Sequence, residues 1–385
     1  MSSGLILGIS LDGAGAHPAA WREPDANAAA LFTADHVVQL AQLAETAGFD
    51  FVTLDDSFAL AEGGPGVVRG QLDALLTLAR VAPVTSTIGL LATVTTTHTE
   101  PFHISKNLAT LDIVSGGRAG WLVHVSAGEA QARHFGRRPT GDLPDLYAEA
   151  AEAIDVVGRL WDSWEDGAVI RDAPTGRYID RDRLHYVNFE GQFFSVRGPS
   201  ITPRSPQGQP LVAVHVVNDH ALAVAAAWAD IVVIDAVSRD DAAQMRARVA
   251  AMVAAAGRDP STVYVLVVAD VLLEATTAGA RTTRARLDDR QVSAPATSLD
   301  FVGAPDDLAE LFSDWTANAL VDGFVVRPAL LPRTLQQFAD DVVPLLRARG
   351  VLATHAGATL RERFGLQRPP NRYAQMETQT ELRMT

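Results

Sequence analysis

Between Pro101 and Ser126 the chain runs PFHISKNLATLDIVSGGRAGWLVHVS, an unbroken succession of helix, stop and strand that constrains the fold more than any other stretch. Pro101 suits a first helical position, where its missing N–H leaves nothing unpaired. Ile104, Leu108 and Leu111 recur at helical spacing and form one apolar stripe. Ser115-Gly116-Gly117 predicts the stop, because glycine enters the left-handed region without a Cβ penalty. Trp121 to Val125 then reads as a short, mostly apolar strand that ends at polar Ser126. A strand apolar on both faces and entered from a helix belongs in a parallel sheet covered by helices.

The pattern recurs. Leu5 to Leu11 is apolar and ends at Asp12-Gly13-Ala14-Gly15. Thr33 can cap a helix lined by Val37, Leu40, Ala41 and Ala44 and stopped at Gly48, after which Phe51–Leu54 delivers Asp55 and Asp56. Ile231–Ile234 ends at Asp235, and Phe324–Val326 ends at Arg327. Eight strands are predicted, near residues 5–12, 50–56, 88–96, 118–126, 210–216, 231–236, 263–272 and 323–328. Eight is the closure number of a barrel. No Gly-x-Gly-x-x-Gly follows the first strand, which weakens an open dinucleotide-binding sheet.

The strand pattern alone allows a barrel or an open doubly wound sheet; read as a (β/α)8 TIM barrel, the chain is expected to form it over residues 1–350, with insertions at 164–209 and 274–304 and a C-terminal tail at 351–385. The first insertion holds a predicted hairpin around Val187–Phe194. The second, polar and basic, reads as a mobile lid or loop. The tail reads as an arm that clasps a partner, or as disordered chain.

Charge and composition narrow the function. With 32 basic and 46 acidic residues the net charge is −14, a surface that repels nucleic acid and anionic membranes. The chain has no cysteine, so thiolate catalysis, disulfides and cysteine metal sites are excluded. No histidine–carboxylate cluster has ligand spacing, and no metal is expected. No Gly-x-Ser-x-Gly elbow is present. No apolar run reaches the roughly 18 residues of a membrane helix, and no basic leader is evident, so a cytoplasmic protein is expected.

The segment SGGRAGW behind its helix resembles the luciferase-like flavin-dependent monooxygenase superfamily, in the branch of nitrilotriacetate monooxygenase component A and dibenzothiophene sulfone monooxygenase. Trp21-Arg22-Glu23-Pro24-Asp25 resembles that branch's Trp-Arg-His-Pro-Asp, and residues 163–199 resemble its insertion. The resemblance implies the oxygenase of a two-component system, using reduced FMN from a separate flavin reductase and O2 on a small organic substrate, commonly as a homodimer or larger assembly. Sister families on this barrel carry the deazaflavin F420 instead. A non-catalytic paralogue binding a small molecule or partner is the third reading.

Residues at C-terminal strand ends build the site of such a barrel. Ala92–Thr97 resembles the family's threonine-rich strand end, which points to Thr95 and Thr96 as cofactor ligands. Asp56 aligns with the Asp of Phe-Leu-Ala-Asp, and Ser126 with the Ser of Thr-Ser. The family's flavin-facing Asn is Leu122 here. His124, two residues on along the same face, becomes a candidate acid or base, and His103 retains the histidine of Pro-Tyr-His. The family's phosphate run has lost both glycines, leaving Asn218 as cap and donor beside Asp219 and His220. Each of these has a plain structural alternative: threonines favour strands, aspartates and asparagines cap helices, and single histidines pack in interiors.

Overall fold

A computed structural model of the protein describes residues 4–60, 66–352 and 357–374. Labelled in chain order, the barrel strands are β1 (Ile6–Ser10), β2 (Phe51–Leu54), β3 (Gly89–Thr95) and β4 (Ala119–His124), then β5 (Leu211–Val216), β6 (Ile231–Ile234), β7 (Tyr264–Leu273) and β8 (Gly323–Pro328). All their pairings are parallel. Neighbours follow chain order all the way round, and the seam is the pairing of β8 with β1. The ring therefore closes, and the predicted (β/α)8 barrel is the fold.

Both faces of the strands are buried, which is why they read as continuous apolar runs. Outward residues such as Leu7, Val52, Leu90 and Trp121 pack against the helices. Inward residues, among them Ile6, Phe51, Leu91, Leu211, Leu266 and Val325, fill the lumen. A Cβ on Gly8 would lie 2.1 Å from the Phe51 ring, so the glycine is what admits that ring to the axis. Above this apolar plug the inward positions turn polar: Ser10, Thr53 and Thr93, then the strand ends.

The helix Pro101–Val114 starts and stops as its sequence predicts, with Gly116 and Gly117 at φ 70° and 90°. Arg118 of the SGGRAGW segment is 5% exposed and donates to Ser115, Ala82, Thr85 and Ile88 at 2.7–3.1 Å. It ties the β3 entry to the β4 entry at the barrel's N-terminal end, far from the mouth. That part of the motif is scaffold.

Three expectations change or gain detail. The second long gap is not a loop: it holds a helix, Thr277–Asp288, and a short strand, Leu299–Gly303. That strand extends the sheet beside the upper half of β7, where β6 has already ended. Arginines at helical spacing, with no apolar stripe, hid the helix. The 164–209 insertion carries two small hairpins, Val169–Asp172 with Arg177–Ile179 and Phe189–Glu190 with Ser195–Val196. The tail through residue 374 does not reach away. Leu360 and Phe364 close the barrel's N-terminal end, and Arg361 pairs with Asp230 at 2.8 Å. The remainder of the predicted arm, 375–385, lies outside the described residues.

Candidate active site at the barrel mouth

The β3–β5 side of the mouth is a set of mutually bonded polar groups. Thr95 Oγ1 and His124 Nδ1 lie 2.9 Å apart across paired strands. The Thr96 amide donates to the His124 carbonyl at 2.9 Å, and its hydroxyl to the same oxygen at 3.2 Å. Thr97 Oγ1 accepts the Ser126 amide at 3.0 Å. Ser126 Oγ is buried and has no partner among the described residues. Burial holds the His124 pKa below its ordinary value, so the imidazole is neutral near pH 7 with Nε2 left to act.

Asn218 stands at the end of β5. Its Oδ1 accepts the Ala221 amide at 2.9 Å, capping the helix Asp219–Trp228, and its Nδ2 donates to Tyr147 Oη at 3.2 Å. Asp219 pairs with Arg248 at 2.7 Å, so the charge that would oppose an anion at this helix start is already answered. His220 lies against the Tyr147 ring.

Two predicted residues stand apart. Asp56 takes the Ala74 amide at 2.9 Å and Gln71 Nε2 at 3.3 Å, fastening the loop after β2 to the next helix. His103 is exposed on the first turn of its helix, with Phe102 its one ring neighbour among the described residues. Thr95, Thr96, His124 and Ser126 form one cluster, with Asn218 on the adjoining strand.

The opposite side, at the ends of β1, β2, β7 and β8, is charged and hollow. Two adjoining cavities of about 310 and 820 Å3 open there. Arg327 grips Asp270 with two hydrogen bonds of 2.7 and 2.6 Å. Arg284 bridges Asp288 and Asp300 at 3.1 and 3.0 Å. Asp12 Oδ1 accepts the Asp55 amide at 2.8 Å, while Ser10 Oγ donates to Asp12 Oδ2. Desolvation, then the nearby Asp55 charge, pushes the Asp12 carboxyl up to about 7. Asp12, Asp55 and Arg327 are strand-end residues, and their inward placement follows from alternation along β1, β2 and β8. Asp270 follows Leu266 and Val268 on the inward face of β7, so alternation also places it there, whereas His17 carried no such signal.

This side is roofed by loops held through ion pairs. Glu23, 3% exposed at its side chain, receives Arg286, Arg290 and Arg333 at 2.5–3.2 Å, and the Arg286 hydrogen bond leads in pulling its pKa down to about 2. The Glu that stands where the related branch has His is thus the hub joining the β1 loop to the helix Thr277–Asp288. His17 Nε2 meets Asp288 at 3.1 Å, while its Nδ1 accepts the Ala19 amide. Among the described residues no cluster could hold a metal ion, and no helix is long and apolar enough to cross a membrane.

Comparison with known proteins places this geometry. A family model described as luciferase-like monooxygenase matches residues 13–322. N-acetyl-S-(2-succino)cysteine monooxygenase of Bacillus subtilis (strain 168) is 32% identical, over 96% of this chain and 98% of its own. Nitrilotriacetate monooxygenase component A of Aminobacter aminovorans is 31% identical, over 97% of this chain and 98% of its own. The solved structure of EDTA monooxygenase from Chelativorans sp. BNC1 superposes with a TM-score of 0.85 at 25% identity, over 95% of this chain and 99% of that one.

Proposed function

The chain belongs to the luciferase-like monooxygenase family, and from that premise we propose that it is the oxygenase component of a two-component system, taking reduced FMN from a separate flavin reductase. Its substrate is a small organic molecule and its co-substrate O2. The observation that carries this reading is the Thr95–His124 pair beside the unpartnered, buried Ser126 hydroxyl. A buried hydroxyl without a partner is costly, and a polar ring edge would relieve it.

The residues fit a flavin. Thr95, Thr96 and Ser126 would hold polar edges of the ring system or its ribityl chain. Asn218 and the amides of Asp219 and His220 at the start of the helix Asp219–Trp228 would hold the phosphate, the Ala221 amide being taken by Asn218 Oδ1. When bound, reduced flavin supplies the two electrons that divide O2 between substrate and water. His124, kept neutral and fixed through Nδ1, can hold or release a proton at Nε2. Neutrality there matters: an imidazolium would have to shed a proton before it could accept one. The loops over the charged side exclude water from the reacting centre.

Titration of the purified protein with FMN and with F420, followed by fluorescence quenching, tests this. Micromolar binding of FMN, weakened by Ser126→Ala and by His124→Ala, is the expected result. Preferential binding of F420 assigns the barrel to hydride transfer, and binding of neither returns it to a non-catalytic role.

A further inference from the structure

The two cavities share few residues, and the ionisable ones among them are Asp12, His17 and Asp55. His17 is held neutral by burial and committed to Asp288 and Ala19. The two carboxylates therefore dominate the junction. Asp55 is exposed to the cavities, and its carboxylate makes no hydrogen bond or ion pair with any described residue. The guanidiniums lining the larger cavity are committed elsewhere, Arg327 to Asp270 and Arg284 to Asp288 and Asp300. Four carboxylates (Asp12, Asp55, Asp270, Asp300) thus line the larger cavity against two cations, Asp12 adding its charge above about pH 7, and Arg327 is attracted to Asp55 and to Asp235 as well as to Asp270.

A second observation lies directly beneath. Thr53, two residues before Asp55 on the inward face of β2, is 5% exposed, and its hydroxyl has no partner among the described residues. Thr93, on the inward face of β3, is 4% exposed and equally unpartnered. The lumen below the junction thus offers neutral hydrogen-bonding groups, and above them uncompensated negative charge. The smaller cavity is walled by Trp21, Leu31, Val37, Leu54 and Val68. It is a compact apolar chamber with an anionic doorway.

We propose that the substrate is an organic cation, a protonated amine, whose ammonium group sits between Asp12 and Asp55 and whose compact apolar body fills the smaller chamber. This rests on the reading of the mouth as an oxygenase site, since it names the substrate of that site. An anion would meet unpaired like charge in a partly desolvated place, whereas an ammonium group supplies the cation that Asp55 lacks. Both cavities lie within the usual size of small-molecule sites, roughly 300–1,000 Å3.

Binding to the full, flavin-free chain separates this inference from the flavin reading. Calorimetric titration with cyclohexylmethylamine, cyclohexylmethanol and cyclohexanecarboxylate compares charge at nearly constant shape. The amine is expected to bind about ten-fold or more tightly than the alcohol at pH 8, and the carboxylate less tightly than either. Asp55→Asn should bring the amine to within about three-fold of the alcohol while the alcohol's own affinity stays, which also shows that the variant is folded. Asp12→Asn should act in the same direction. Carboxylate binding as tight as the amine's, an amine preference that survives Asp55→Asn, or no amine binding at millimolar concentration would each overturn the proposal. FMN titrated separately into the same protein reports on the oxygenase reading, so either can fail alone.

Discussion

The two sides of the barrel mouth are polar in different ways. On the β3–β5 side, Thr95, Thr96, Thr97, His124 and Ser126 belong to neighbouring strand ends and bond mainly to one another. Their geometry is inherited from the sheet, and the cluster carries no net charge while His124 is neutral. On the β1–β2 and β7–β8 side the groups are charged, space remains between them, and the roof is brought in by loops and by a helix more than 250 residues away in sequence. A mouth so divided suits two occupants. A rigid neutral rim can hold the same cofactor edge in every cycle, while a charged chamber under a pinned roof selects what else enters.

The sharpest way to break this division is His124→Ala. If the neutral rim does the proton work, turnover with supplied reduced flavin should fall about 100-fold or more, with amine binding on the other side unchanged. Steady-state oxygenation assays alongside calorimetry decide it. Next comes the roof. Glu23→Gln removes the carboxylate that three arginines share, and it should cost about 3 kcal/mol in denaturant unfolding. It should loosen the charged side selectively, weakening cyclohexylmethylamine while sparing FMN. Because the Glu23 pKa is depressed, its contribution is present above about pH 4.5 and is lost as pH falls toward 2, so wild type and variant should converge in acid.

Smaller effects sharpen the contrast. Ser126→Ala deletes one uncharged contact and should weaken FMN about three- to ten-fold, read by fluorescence quenching, while raising the thermal stability of the flavin-free protein. Asp12→Asn tests the opposite side through pH. The native carboxyl keeps its proton up to about 7, while the unfolded one releases it near 3.8, so wild-type stability falls as pH rises between those values. The Asn variant should lack that slope and be the more stable by about 1 kcal/mol or more at pH 8, measured by thermal melts at pH 5 and 8.

How far the site was legible depended on which rule was applied to each residue. Strand alternation and position at a strand end act together on Thr95, His124 and Ser126, and both are local, so the sequence could place them on one rim. Asp56 was chosen by motif alignment, yet alternation along β2 puts Phe51, Thr53 and Asp55 inward, and the neighbouring carboxylate is the one that reaches the cavities. His103 stands outside that cluster, and its position in a helix turn does not by itself say which way the turn faces the barrel. The helix Thr277–Asp288 was read as loop because its arginines satisfy distant carboxylates, Glu23 and Asp300 among them, instead of packing an apolar stripe.

From its own order of residues the chain determined that apolar strands alternate with helices and end in polar groups, because burial on both strand faces is written into consecutive side chains. That much dictates a helix-covered parallel sheet with polar strand ends, and the pairing of β8 with β1 closes it into a barrel. Only the tertiary structure decided which of those polar groups are answered. Arg327 meets Asp270 across 57 residues, and Asp12 meets the Asp55 amide across 43, while the Asp55 carboxylate makes no hydrogen bond or ion pair with any described residue. Charge compensation is a sum over every group within a few ångströms, and that sum exists only once distant segments have been brought together.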